Sequence, residues 1–254
     1  MDTSANGHQA ARAPHRPGIA RALRKSVADA WLHLALFVAA NVIWVILLGL
    51  PVSLVSLLGR AALHPAAGAA AAGMTLCTLA AGNAVLFHVT NRIAHGEASA
   101  RDLLSALARH FAPSLALLLI VGAVVGLGAL NVYFYVRVLS GMWWRVIGIM
   151  WAYLGLMFLL AMTYSYPLLV HQRRGALNAM KRSALLFVDN AVYTLGLVGA
   201  LVALTIAVMV PVVTALPVLV GLSALVLCFI EAGFVALAAN NALLDLLRKY
   251  EQAE

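Results

Sequence analysis

Six long apolar runs, separated by short polar segments, constrain this chain more than any other feature. The runs cover residues 31–50, 66–90, 114–136, 146–170, 184–210 and 218–243. A helix needs about 20 apolar residues to cross the roughly 30 Å hydrocarbon core of a bilayer, and every run reaches that length. Helices can cross hydrocarbon because they satisfy their own backbone hydrogen bonds. The sequence therefore predicts an all-α, polytopic transmembrane helix bundle with about six spans.

Composition excludes a water-soluble fold. Apolar residues make up 64% of the 254 positions and charged residues only 10%, whereas soluble domains carry about 25% charged residues. A soluble domain of this size cannot bury so much apolar surface. We predict one transmembrane domain over residues 18–250. The polar, proline-punctuated segment 1–17 is typical of a disordered tail.

The basic residues predict the orientation. In multi-pass proteins Lys and Arg concentrate in cytoplasmic segments. With the N-terminus inside, three basic residues fall in outer segments and fourteen in inner ones; the outer three are Arg60, Arg137 and Arg145. We expect a plasma-membrane protein with both termini in the cytoplasm. The net charge of +8 is explained by this bias, and no motif indicates a nucleic-acid partner.

Short interfacial helices are predicted on the cytoplasmic side. Residues 18–30 carry basic residues into the first span, as a helix on the inner membrane face would. The loop at 171–183 also has amphipathic spacing after Gly175. Its likeness to the earlier inner loop at 91–112 leaves a repeated span–helix–span unit open.

The helix predicted at 99–111 is a candidate docking site for a partner. Ser99 and Asp102 have the spacing of a capping box. One apolar face follows, formed by Leu103, Leu104, Leu107 and Phe111. This face is small for a core but sufficient for interfacial binding. We therefore expect the helix to lie along the membrane face.

Glu231 is the most informative single residue, because it lies near the centre of the last run. A carboxyl at that depth costs about 2.5 kcal/mol or more on insertion scales, so it needs a partner or protonation. The residues at matching depth are Asn41, Asn83, Thr163 and Tyr164. Two interpretations stay open: an intramembrane site for substrate, ion or proton, and a carboxyl that only ties helices together.

Other polar residues indicate structure rather than chemistry. His88, Asn91 and His95 form a helical stripe, which we interpret as the polar inner end of span two. Asp189 falls in the first turns of the predicted span five, where a carboxylate offsets the helix dipole. Nucleophile, P-loop, dinucleotide and metalloprotease motifs are missing. We therefore expect no enzymatic activity and no metal or cofactor.

Glycine, proline and aromatic residues predict local features of the bundle. Gly122 and Gly126 in span three and Gly148 in span four permit close backbone approach. Pro167 lies inside the fourth run, where a kink is expected. An aromatic belt is expected at the outer boundary, formed by Tyr133, Tyr135, Trp143 and Trp144.

Several motifs in order resemble the YesL-like family, the DUF624 domain, over about residues 20 to 210. They are Asn41-Val-Ile-Trp44 with Leu50-Pro51, His95-Gly96-Glu97, Phe111, Asn131 with Tyr133-Phe134-Tyr135, and Tyr166-Pro167-Leu168-Leu169. The segment after Pro51 departs from the family pattern, which puts the first outer loop in doubt.

The resemblance implies a bacterial membrane protein without an established activity, linked to carbohydrate uptake. On that basis we expect an accessory or partner-binding protein beside a solute transporter, such as an ABC-type sugar transporter, in the lipid bilayer. The alternative is a small transporter in its own right, using the polar site around Glu231. A homo-oligomer is left open.

Overall fold

A computed structural model describes residues 17–58, 65–172, 175–214 and 217–251. Most of the predicted N-terminal tail and the first outer loop, residues 59–64, lie outside these ranges. Within them the chain is all-α without a strand, which confirms the predicted fold class. The helices are α1 Ile19–Leu32, α2 Leu34–Leu58, α3 Pro65–Ala94, α4 Arg101–Tyr133, α5 Met142–Ala161, α6 Ser165–Gln172, α7 Ala176–Asp189, α8 Ala191–Thr214 and α9 Pro217–Glu251, with a π-helical turn at Phe134–Val138.

Several helical segments are long and apolar enough to cross a membrane. Five qualify among the described residues: Leu34–Pro51, Ala66–Ala94, Arg101–Val138, Met142–Gln172 and Ile230–Glu251. A bent pair formed by α7 and α8 adds a sixth if it counts as one span. The backbone N–H of Gly18 donates to Asp245 of α9 at 2.8 Å. The chain therefore enters and leaves the described bundle at the same end, as the count of six spans would require.

The fifth span begins later than predicted. Residues 184–189 belong to α7, and the chain turns by 101° between α7 and α8. The turn is at Asn190, whose side chain donates to the Tyr250 hydroxyl at 2.8 Å and accepts from Lys249 at 2.8 Å. Asp189 is thus the last residue of α7. A carboxylate at this end of a helix interacts unfavourably with the helix dipole. The predicted place of Asp189 inside the first turns of span five was wrong.

The prediction of a separate interfacial helix at 99–111 was also wrong. Helix α4 begins at Arg101 and continues through Pro113 for 33 residues. Its buried stripe passes the proline without a shift of face and consists of Ala106, His110, Ser114 and Leu117. The Ser114 hydroxyl also donates to the Ala80 carbonyl of α3 at 2.8 Å. This packing holds the helix continuous although Pro113 lacks a backbone donor.

The predicted capping box forms in part, since the Asp102 carboxylate accepts from Ser99 but the Ser99 hydroxyl donates to that carboxylate instead of accepting a backbone N–H. The Ser99 backbone N–H and hydroxyl donate to the Asp102 carboxylate at 2.8 and 3.0 Å. Just before it, Gly96 has a φ of +73°, a left-handed conformation that glycine adopts without a steric penalty. The turn and the cap together start α4 beside the end of α3.

The predicted kink at Pro167 is confirmed as a break between α5 and α6. The ring of Pro167 crowds the carbonyl four residues earlier, at Thr163, and removes a backbone donor. Ser183 of α7 fills the break: its hydroxyl donates to the Ala161 carbonyl at 2.6 Å and accepts the Tyr164 N–H at 3.1 Å.

Close backbone approach occurs at one of the predicted glycines. A Cβ on Gly148 would lie 2.6 Å from Val136 Cγ2, whereas one on Gly122 or Gly126 would meet nothing within 4 Å. The aromatic residues do cluster at the α4–α5 connection, where Tyr135 and Trp144 stack with ring centroids 5.9 Å apart.

Two apolar clusters share α9 and form the core. One joins α9 to α4, α6 and α8 and includes Leu117, Leu168, Leu197 and Leu243. The other joins it to α2 and α3 and includes Phe37, Val85, Val89 and Leu237. Glu231 lies on α9 beside Ala232, which packs against the second cluster.

Candidate functional site

A cavity of about 670 Å³ lies between α2, α3 and α9. We call it the Glu231 pocket. Its lining residues come from all three helices: Trp44, Val45, Leu48, Gly49, Ser53, Asn83, Leu86, Phe87, Glu231, Ala232 and Val235. Most are aliphatic or aromatic, so the pocket combines one carboxyl with a large apolar wall.

Glu231 is bonded to a residue that the sequence did not suggest. The hydroxyl of Thr205 on α8 donates a short hydrogen bond to Glu231 Oε1. Among the described contacts, none of the four predicted partners bonds to Glu231, so that prediction was wrong. Thr205 had no distinguishing signal, because a threonine in an apolar span is common and depth alone does not select it.

Asn41 bonds to a different side of α9. Its Oδ1 accepts the Gly233 backbone N–H at 2.7 Å, and its Nδ2 donates to the Phe37 carbonyl at 2.8 Å. Gly233 follows Glu231 by two positions, or about 200° around a helix, so the two residues face opposite sides. Asn41 is fully buried and ties α2 to α9.

Asn83 shares the pocket with Glu231 and organises its aromatic wall. Its Oδ1 accepts from Trp44 Nε1 at 2.9 Å, and its Nδ2 donates to the Tyr166 hydroxyl at 3.2 Å. Tyr166 in turn stacks on Phe87, with ring centroids 4.9 Å apart. Gly82 leaves room for the Trp44 ring, because a Cβ on Gly82 would lie 3.0 Å from Trp44 Cδ1.

Thr163 and Tyr164 lie away from the pocket, at the break between α5 and α6. Tyr164 is fully buried, and its hydroxyl lies 3.2 Å from the hydroxyl of Thr194 on α8. The structure therefore brings together only Glu231 and Asn83 of the five candidate residues.

A second polar cluster, which sequence reasoning missed, joins α1 to α3 and α9. Lys25 donates to the Asp29 carboxylate, to the Ala94 carbonyl at 2.9 Å and to Asn241 Oδ1 at 2.8 Å. Asn241 Nδ2 donates to Ser26 and to Asp29, both at 3.0 Å. We call these residues the α1–α9 cluster. Opposite charges four residues apart in α1 and the amides near the end of the last run were the available signals.

The polar stripe of α3 faces three different neighbours. Asn91 donates to Asn240 of α9 at 3.3 Å. The His95 ring stacks on His171, with centroids 5.5 Å apart. The His88 ring lies 4.9 Å from that of His110. Within the described ranges, no group of three metal-binding side chains converges.

The predicted docking residues are only partly available on the surface. Leu104 is 77% exposed and Leu107 36% exposed. Leu103 and Phe111 are half-buried, and Leu103 packs against the apolar cluster that joins α9 to α2 and α3. The exposed pair lies on the first turns of α4.

Comparison with known proteins found no matching family model, no matching curated protein and no matching solved structure. The resemblance to the YesL-like family therefore stays a prediction.

Proposed function

We propose that this chain is a non-enzymatic, multi-pass accessory protein of the plasma membrane that binds another membrane protein. A solute transporter, and an ABC-type sugar transporter in particular, is the partner class that the motif resemblance favours. The surface of α4 supports this role.

Helix α4 is longer than a bilayer is thick. Its 33 residues extend for about 50 Å, against roughly 30 Å of hydrocarbon. The first turns, which hold Leu104 and Leu107, therefore extend beyond the hydrocarbon at the end where the chain enters and leaves. Arg101 and Arg109 are exposed beside them. The two exposed leucines, on a helix that is anchored to α3, offer an apolar contact to a partner protein.

The same surface supports the proposed orientation. The segments at this end of the bundle carry most of the basic residues, and such segments face the cytoplasm in multi-pass proteins. The partner would then meet α4 from the cytoplasmic side, where the energy-coupling domains of a transporter would lie.

Co-purification tests this proposal. Tagged full-length protein from native membranes, in mild detergent, should retain a transporter component that mass spectrometry identifies. The double variant Leu104→Ser, Leu107→Ser should lose most of that component. The matched control is Leu177→Ser, Leu185→Ser, two leucines of α7 that are also well exposed. Equal recovery from the parent and both variants would contradict docking through α4.

A small transporter is the second candidate, because Glu231 and Asn83 line one pocket within the membrane. Under this alternative, reconstituted vesicles should accumulate a labelled solute, and Glu231→Gln should abolish the flux while the fold is retained. Uptake by that variant at the parent rate would reject the transport role of Glu231.

A further inference from the structure

We infer that the Glu231 pocket binds an amphiphilic monocation: a molecule with one positive charge next to apolar groups, entering from the membrane. The inference names a ligand class for the site that the transporter alternative also uses. Binding at equilibrium requires no flux and no partner protein, so it can fail while either proposed function stands.

The charge of the ligand follows from Glu231. Among the described residues that line the pocket, it is the only ionisable one. Its described hydrogen bond comes from one hydroxyl, that of Thr205. A carboxylate surrounded by apolar groups is costly unless a positive charge compensates it. The ammonium group of Lys25 cannot compensate the Glu231 charge, because its three acceptors hold it in the α1–α9 cluster.

The apolar part of the ligand follows from the other walls. Trp44 and Phe87 line the pocket, and the hydrogen bond to Asn83 and the stack on Tyr166 hold their rings in place. Aromatic faces attract cations as well as apolar groups. Leu48, Leu86 and Val235 complete an aliphatic surface. The volume of about 670 Å³ suits a small organic ligand.

A sugar fits this lining less well. Binding a polyol requires many hydrogen-bonding groups in fixed positions. Asn83 already uses both ends of its amide, for Trp44 and for Tyr166. The Trp44 N–H is also used, because it donates to Asn83. Among the described lining residues, Glu231 and Ser53 are the polar side chains that remain to contact a ligand. The chemistry therefore favours one charge and a large apolar body.

Two probes of equal shape and opposite charge test the inference. Tetraphenylphosphonium is a lipophilic monocation, and tetraphenylborate is the corresponding anion. Equilibrium dialysis of the full-length protein in nonionic micelles, with empty micelles as the blank, measures the binding of each. The phosphonium should bind saturably at one site per chain, and the borate should not. Equal binding of both ions, or binding of neither, would overturn the inference.

Variants locate the binding. Glu231→Gln should weaken phosphonium binding by about tenfold or more, as loss of a charged contact does. Glu231→Asp, which keeps the charge, should restore most of the affinity. Gly49 lines the pocket, and a Cβ added there would meet no atom within 4 Å, so Gly49→Phe should fill the space and block binding.

Gly155→Phe is the matched control, because Gly155 also faces open space but lies on α5, outside the pocket. Thermal unfolding of each variant checks that the fold is retained. Phosphonium binding that survives both Glu231→Gln and Gly49→Phe would place the site elsewhere and refute the inference. Equal losses from Gly49→Phe and Gly155→Phe would refute it as well.

Discussion

Gly233 and Asn41 form a tight contact between α2 and α9. The Asn41 carboxamide accepts the Gly233 N–H at 2.7 Å, and a Cβ on Gly233 would overlap that carboxamide, with Asn41 Cγ only 2.7 Å away. Glycine is therefore required here by space. Both residues are buried, so neither can move aside into lipid.

Gly233→Ala should lower the free energy of unfolding by about 2 kcal/mol, as overpacking of a core does. Titration of the protein with a denaturing detergent measures this value. The Asn41→Ala variant removes the obstacle, so the double variant should be more stable than the sum of the single effects predicts. Strict additivity would show that the carboxamide does not restrict Gly233.

Gly155→Ala is the control for helix propensity. A Cβ there meets nothing within 4 Å, so the change should be neutral or stabilising by up to about 1 kcal/mol. A loss equal to that of Gly233→Ala would attribute the effect to something other than the contact with Asn41.

Glu231 should contribute little to stability in the absence of ligand. Glu231→Gln keeps an acceptor for Thr205 and removes a charge that is uncompensated without ligand, so its unfolding free energy should equal or exceed that of the parent. Relative to Glu231→Gln, Glu231→Leu should cost about 0.6 kcal/mol, the typical value of a side-chain hydrogen bond between membrane helices, because Thr205 can bond back to its own helix. The same detergent titration measures both. A loss above about 3 kcal/mol, the upper value for one stranded buried group, would contradict this assignment.

At the break between α5 and α6, a neighbouring helix supplies the missing backbone hydrogen bonds. Three residues separate the two helices, and the break leaves backbone groups without helical partners. Ser183 satisfies the Ala161 carbonyl and the Tyr164 N–H from α7. The kink is thus part of the packing between α6 and α7.

Ser183→Ala should cost about 1–3 kcal/mol, because it strands buried backbone groups at the break. Ser140→Ala is a suitable control, since Ser140 is exposed and such changes usually stay within about 0.5 kcal/mol. Unfolding midpoints in the same micelles compare the two. An unchanged midpoint for Ser183→Ala would mean that the break does not depend on α7.

The whole molecule is organised around α9 and the end of the bundle where the chain enters and leaves. Asp245 holds the Gly18 N–H, Asn241 belongs to the α1–α9 cluster, and Tyr250 accepts from Asn190. The last helix therefore ties α1 to the turn between α7 and α8. With both ends of the described chain on one side, a single labelling experiment decides the orientation.

We expect that side to be cytoplasmic. In a background with Cys77→Ala and Cys228→Ala, an impermeant thiol reagent applied to intact cells should label Ser140→Cys and spare Ser99→Cys. Both positions are exposed, so access to the side chain does not limit either reaction. After permeabilisation both should react. Labelling of Ser99→Cys in intact cells would invert the proposed topology.

Local sequence patterns were enough to predict the class of fold, the approximate spans and the contact between Ser99 and Asp102 at the start of α4. These features are local: an apolar run of sufficient length must become a helix in hydrocarbon, because its backbone groups have no other partners. The capping of Ser99 by Asp102 likewise needs only residues three apart. The proposed orientation follows from the basic residues in the same local way.

The roles of the individual polar residues and prolines, by contrast, depend on contacts made in the folded bundle. Pro113 and Pro167 are alike in sequence, yet α4 passes through the first, because a continuous buried stripe packs on α3, and the chain breaks at the second, where Ser183 of α7 satisfies the freed backbone groups. Glu231 bonds to Thr205 and not to Asn41 because two positions on a helix face opposite sides. Residues distant in sequence supply these partners, and their rotation about each helix is set by packing, so depth in the membrane alone could not select them.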